Sequence, residues 1–217
     1  MIVLGLTGGI AMGKSRAAAM FRAHGVPVFD ADAEVHALMA PGGAATAPVG
    51  AAFAACLGPD GGVDRGALGR RVLGDPPALR RLEAIVHPLV RAGEGRFLRR
   101  ACRAGVPLAV LDIPLLFETG GETRVDAVAV VFASPLLQAQ RALRRPGMTP
   151  EKLGRILAQQ VPDAERRKRA DFVLPSGYDA AGMLAAGIGE VIRAALARPA
   201  RAWPARWLRH GGRLDAA

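Results

Sequence analysis

The chain has 217 residues, 51% of them hydrophobic and 22% charged, and 29 Lys plus Arg against 19 Asp plus Glu leave a net charge of +10. This composition excludes a disordered chain, and a pair of cysteines, Cys56 and Cys102, excludes a disulfide-stapled scaffold and a four-cysteine zinc site. The basic residues are nearly all arginine, with Lys14, Lys152 and Lys168 the only lysines; guanidinium forks suit phosphate and carboxylate, so an anionic partner is expected, whether nucleotide, nucleic acid or acidic membrane face.

In chain order, Ile2–Leu6 is a short apolar run closed by glycines, the pattern of a buried strand. No basic leader precedes it and no run is long enough to span a bilayer, so a reducing, cytoplasmic setting is expected. Arg16–His24 is predicted as a helix ending at Gly25, and Val26–Phe29 as a second strand that runs into Asp30-Ala31-Asp32. This β-α-β order suits a parallel sheet. A helix over Ala33–Met39 stops at Pro41-Gly42-Gly43.

From Ala44 to Arg103 no strand is expected. Helices are predicted at Ala47–Leu57, Arg65–Leu73 and Pro77–Cys102, divided by Gly58-Pro59-Asp60-Gly61-Gly62 and Gly74-Asp75-Pro76. This reads as a helical insertion within an α/β core. Strands resume at Pro107–Asp112 and Asp126–Phe132, helices follow at Pro135–Arg145, Pro150–Gln160 and Asp163–Ala170, and Phe172–Leu174 and Ala180–Ala197 are a last strand and helix. An arginine-rich tail with Trp203 and Trp207 begins at Arg198.

Gly8-Gly9-Ile10-Ala11-Met12-Gly13-Lys14-Ser15 matches G-x-x-x-x-G-K-[ST] between a predicted strand and a predicted helix. Chance gives roughly 0.002 such matches in a chain of this composition, for the motif as defined. Gly8 and Gly13 allow backbone angles that turn the loop's N–H groups inward as an anion nest, and the following helix dipole adds positive potential. Lys14 would reach the β- and γ-phosphates, and Ser15 would offer its hydroxyl to Mg²⁺, a cation that favours hard oxygen ligands. A nucleoside triphosphate site follows, without yet naming the reaction.

Four further groups are candidates. Asp30 and Asp32 end the second strand; one suits a helix N-cap, and Asp32 is the better candidate to take a proton from a hydroxyl being phosphorylated. Asp112 ends an apolar strand, where a Walker-B-like aspartate holds Mg²⁺, and Glu118 follows in the same loop region, with a surface glutamate as the simpler alternative. Arg141, Arg144 and Arg145 share one face of a predicted helix, and on a mobile flap they would offset charge on phosphates; a solvated basic face is the alternative. His87 precedes Pro88 and reads as packing or substrate contact, while His24 and His36 stand apart from it and from each other. No His/Cys spacing points to a transition metal.

These residues together resemble a known family. Gly5-Leu6-Thr7-Gly8-Gly9-Ile10 leading into Gly13-Lys14-Ser15, then Asp30-Ala31-Asp32, Leu82-Glu83-Ala84-Ile85-Val86-His87-Pro88, and Asp112-Ile113-Pro114-Leu115-Leu116-Phe117-Glu118 are similar to dephospho-CoA kinase. Gln138…Arg141…Arg145-Pro146-Gly147-Met148, Arg155-Ile156-Leu157-Ala158-Gln159 and Lys168-Arg169-Ala170-Asp171-Phe172-Val173 continue the match in order over about residues 1–195. The resemblance implies an α/β, P-loop kinase-type three-layer fold with a five-stranded parallel sheet. It implies a core of residues 1–30 and 104–197 with a lid at about 138–155, a CoA-binding insertion at 31–103, and a tail at 198–217.

The implied reaction is ATP-dependent phosphorylation of the ribose 3′-hydroxyl of dephospho-CoA, the last step of coenzyme A biosynthesis. By the same resemblance Gly8 to Ser15, Arg16 and Arg145 bind ATP, with Lys14 on the transferred group. Asp32, Lys14 and Arg141 are catalytic, Asp32 as the base. Asp32, Arg65, His87 and Glu118 contact the acceptor, and Ser15 and Asp112 hold Mg²⁺. Small-molecule partners would account for part of the charge without nucleic acid or membrane, in a monomer or small homo-oligomer. Ala11 stands where the family usually has Gly and Arg16 where it often has Thr, both expected to be tolerated. Pro175-Ser176 replaces a common Asn, and the tail is unexplained and expected to be a dispensable or loosely packed extension. Two rivals stand beside this reading: another small-molecule kinase of the same fold, such as a nucleoside-monophosphate kinase, and a nucleotide-gated nucleic-acid-binding module using the arginine-rich tail with Trp203 and Trp207 as stacking residues.

Overall fold

A computed structural model describes residues 1–177 and 180–207. The apolar runs become strands β1 (Ile2–Thr7), β2 (Val28–Asp30), β3 (Leu108–Asp112), β4 (Ala127–Phe132) and β5 (Phe172–Pro175). They form one sheet in the order β2-β3-β1-β4-β5. β1 is parallel to both β3 and β4, and β4 to β5. Every residue of β1 and β3 is buried, as expected of central parallel strands covered on both faces, and this is why they read as unbroken apolar runs.

The helices are α1 (Lys14–Ala23), α2 (Ala31–Met39), α3 (Thr46–Ala52), α4 (Arg65–Val72), α5 (Pro76–Arg103), α6 (Pro135–Leu143), α7 (Pro150–Ala158), α8 (Asp163–Arg169) and α9 (Ala180–Leu196). The described residues divide into two compact units, one of Met1–Phe29 with the described chain from Leu98 onward, the other of Asp30–Phe97. In the first, Ala17, Ala18 and Phe21 of α1 join Leu184, Ile188, Val191 and Ala195 of α9 in one buried cluster with Leu4, Leu6, Val110 and Val131. The 3–4-residue spacing along α9 is the apolar stripe that makes that segment a helix.

The second unit closes its own core around Leu38, Met39, Val49, Phe53, Leu68 and Val86. The helix expected to run to Leu57 stops at Ala52. Phe53 leaves helical geometry and Ala55 takes a positive φ of 66°, and Leu57 then forms an antiparallel bridge with Val63. Asp60 closes the intervening turn by accepting from Gly62 N–H at 3.0 Å. A single bridge therefore flanks the expected Gly58–Gly62 break between helices.

The beginning of the tail differs from expectation. Arg201 and Ala202 donate their N–H groups to Asp126 Oδ1 at 2.6 and 2.7 Å, while Asp126 Oδ2 accepts from Val3 N–H at 2.8 Å. Trp207 is 1% exposed, with the Arg124 guanidinium 5.3 Å from its ring centroid. Trp207 is packed rather than displayed for stacking, and the segment up to it is fastened to the sheet unit. The rest of the tail, 208–217, lies outside the described residues.

Candidate phosphate-binding site and its surroundings

The loop between β1 and α1 is shaped by its glycines. Gly13 has φ 96° and is the residue from which α1 starts, a conformation that only glycine adopts cheaply. A side chain there would run into the Ser176 hydroxyl, and one at Gly8 would lie 2.9 Å from Val131 O. Ala11 also has a left-handed φ, 59°. The replacement of Gly at Ala11 therefore falls on a strained backbone position, costing about 1–2 kcal/mol for an L-residue, and not on an indifferent one. The N–H groups of Lys14 and Ser15 open α1 ahead of its first backbone bonds, which run from Arg16 and Ala17 to Gly13 O, and a helix start of this kind suits an anion.

Lys14 Nζ lies 2.6 Å from Asp112 Oδ1, and the Asp112 side chain is 3% exposed. Ser15 and Arg16 are exposed in the first turn of α1. Arg141, in the last turn of α6, donates to Ser176 Oγ at 3.1 Å and to Gly177 O at 3.5 Å, and its Nη1 is 3.6 Å from where a Gly13 Cβ would stand. Lys14, Asp112, Arg141 and the start of α1 thus cluster at one place. α6 ends at Leu143, short of the expected Arg145: Arg144 is its C-cap, still in right-handed helical geometry, and Arg145 lies exposed just beyond it.

Glu118 is not the surface side chain that was the simpler alternative, its side chain being 15% exposed. Its Oε1 accepts from Arg166 Nη2 and from Val161 N–H, both at 2.9 Å. Burial pushes its pKa up, but the Arg166 hydrogen bond and charge, with the backbone N–H groups of Val161 and of Glu118 itself, hold the carboxyl below the ordinary glutamate value.

In the second unit, Asp30 is the N-cap of α2, accepting from Ala33 N–H at 3.0 Å. Asp32 is exposed in the first turn of that helix, so of the two aspartates it is Asp30 that caps. Arg65 opens α4 behind the N-cap Asp64, and its Nη1 lies 3.3 Å from His36 Nδ1. His36 is one helical turn beyond Asp32 on α2 and therefore on the same face; it is a site candidate rather than an isolated histidine. His87 is exposed beside Pro88 within α5, which removes the packing reading.

Sequence reasoning gave no role to Gln138, Gln160, Arg166, Ser176 or His36. Gln138 carried a signal, a polar residue on the buried stripe of α6 beside Leu137 and Ala142. Arg166 carried none, being one of four basic residues at 166–169.

Comparison with known proteins bears on this geometry. The family model described as dephospho-CoA kinase matches residues 2–180. A dephospho-CoA kinase of Paramagnetospirillum magneticum is 63% identical over 167 residues, covering 77% of this chain and 78% of that relative. One from Rhodopseudomonas palustris is 52% identical over 204 residues, covering 93% and 99%. The crystal structure of TT1252 from Thermus thermophilus superposes with a TM-score of 0.75 at 35% identity, covering 90% of this chain and 96% of the other.

Proposed function

The chain belongs to the dephospho-CoA kinase family, and on that premise we propose how its own residues divide the work of ATP-dependent phosphorylation of dephospho-CoA in coenzyme A biosynthesis. The observation that carries the reading is the Lys14–Asp112 pair at the mouth of a loop with the geometry of an anion nest.

ATP binds with its phosphates against the N–H groups from the loop into α1, and Lys14 neutralises the group in transfer. The ribose 3′-oxygen attacks the γ-phosphorus, its proton passes to the Asp32 carboxylate, and the bond from the γ-phosphorus to the β,γ-bridging oxygen breaks to release ADP. Arg141, steadied by Ser176, offsets charge on the phosphoryl oxygens. Most of the rate comes from positioning and preorganised charge, since a loose transition state asks little covalent work of the protein. Arg65, with His36 beside it, and His87 contact the acceptor from the insertion.

Ser15 and Asp112 offer hard oxygen donors suited to Mg²⁺, and among the described residues no group of three His, Cys, Asp or Glu could hold a metal, which fits a cation bound mainly by nucleotide phosphates and water. When bound, Mg²⁺ supplies charge neutralisation at the phosphate oxygens. No helix among the described residues is long and apolar enough to cross a membrane, and a cytoplasmic setting accords with the reading.

A coupled ADP-release assay offering dephospho-CoA, AMP, adenosine and pantothenate as separate acceptors tests it. Turnover is expected with dephospho-CoA far above the other three; turnover of AMP or adenosine instead would make the chain a different kinase of the same fold.

A further inference from the structure

A phosphate loop binds through main-chain amides, so its backbone conformation is its chemistry, and a glycine-rich loop holds no shape without outside support. Ile10 lies midway along this loop. Its N–H donates to Gln160 Oε1 at 3.2 Å and its C=O accepts from Gln138 Nε2 at 3.0 Å. A carboxamide has an acceptor at one end and a donor at the other, and the two glutamines are used in opposite senses, each matching the one main-chain group it meets.

The support extends behind them. A Cβ on Gly9 would stand 2.7 Å from Arg166 Nη1, so the loop backbone lies directly against that guanidinium. Arg166 is 2% exposed and is held by Glu118, which also accepts from the N–H of Val161, next to Gln160. On the apolar side, Ala11 is buried in a cluster with Ala142 of α6 and Leu153 of α7, and Met148 packs against it. The loop is thus fastened to α6, to α7 and to the segment between α7 and α8.

Resting on the kinase reading above, we propose that Gln138 and Gln160, backed by Arg166 and Glu118, are positioning residues that fix the phosphate loop for the triphosphate by clamping both main-chain groups of Ile10. The clamp engages an N–H and a C=O that the phosphates then do not use, and it leaves the amides from Lys14 onward to the ligand. It serves the nucleotide and not the acceptor.

The test uses the full chain, steady-state kinetics in both substrates, calorimetric binding of ADP, and thermal melts. Gln138→Ala and Gln160→Ala are each expected to raise the ATP KM and the ADP Kd about tenfold, the weight of one well-placed hydrogen bond, while the dephospho-CoA KM stays within about twofold of wild type. Gln160→Glu keeps the acceptor that Ile10 N–H needs and is expected to remain within about threefold of wild type for ADP, whereas Gln138→Glu loses the donor and binds no better than Gln138→Ala. Gln138→Leu, which keeps the bulk at that buried place, carries the same expectation as Gln138→Ala should the latter not fold. Equal behaviour of the two Glu variants, parallel rises in both KM values with a lowered melting temperature, or unchanged ADP binding in both Ala variants would overturn the proposal. Failure of the kinase reading looks different: the wild type would leave dephospho-CoA unmodified while the ADP affinities still followed the donor and acceptor pattern.

Discussion

Lys14 Nζ and Asp112 Oδ1 are 2.6 Å apart, joining the end of the phosphate loop to the end of β3. The Asp112 side chain is almost wholly buried, and Lys14 is 15% exposed, so the ammonium is anchored on one side and open on the other. Lys14→Ala is expected to lower kcat/KM by about 10³-fold, the loss of one preorganised charge at a developing anion. Because Lys14 is also a partner of a buried carboxylate, the variant should melt at a lower temperature as well, so activity must be measured below its transition. An Ala variant retaining wild-type turnover in the ADP-release assay would remove Lys14 from the reaction.

Asp30 and Asp32 are two residues apart and should fail differently. Asp32 is exposed in the first turn of α2, and Asp30 caps it. Asp32→Asn is expected to cut kcat by about 10²–10⁴-fold, the usual weight of a general base, with the ATP KM and melting temperature unchanged. Asp30→Ala is expected to lose about 1 kcal/mol of stability, the weight of an N-cap, and to keep most of its kcat. The reverse pattern would exchange the two roles.

Glu118 gives the protein an acid-sensitive tie. Its carboxyl is held below the ordinary value of 4.5 in the folded state, so its contribution to stability is full above that value and is lost as pH falls through the folded one. Glu118→Gln can still accept from Arg166 and Val161 but carries no charge. Urea midpoints of wild type and Glu118→Gln should therefore differ by a constant amount from pH 8 down to about pH 5 and converge in more acid solution, where the wild-type carboxyl is itself neutral. A gap that persists undiminished at the acid end would contradict the ion pair.

Trp207 makes the start of the tail part of the fold. Trp207→Ala should cost about 3–5 kcal/mol, as for other buried aromatics, which in a chain of this size is a drop of roughly 10 °C in melting temperature. A chain ending at Pro199 loses the Arg201 and Ala202 amides on Asp126 as well and should melt no higher than the point variant. If that shortened chain melted with the full one, the tail would be dispensable after all.

The strands, the phosphate loop and the order of the helices were legible because each is encoded locally. Buried parallel strands must be apolar throughout, the loop needs glycine where φ is positive, and α9 shows its stripe within a single stretch of chain. The division between Asp30 and Asp32 was half legible, since both residue types suit both jobs and only the backbone shows which one meets the N–H of Ala33. Glu118 was placed at the acceptor by the family resemblance; its partner Arg166 is 48 residues away, beyond the reach of any spacing rule.

By itself the sequence determined a nucleotide-binding α/β kinase and its family, because glycine conformation, burial and motif spacing are properties of neighbouring residues. Tertiary structure alone decided that Gln138 and Gln160 meet on Ile10, that Glu118 turns inward to Arg166, and that Trp207 is buried. Each of these depends on where distant segments come to rest once the sheet has ordered them, and hydrogen bonds and packing at that range leave no periodic trace in the chain.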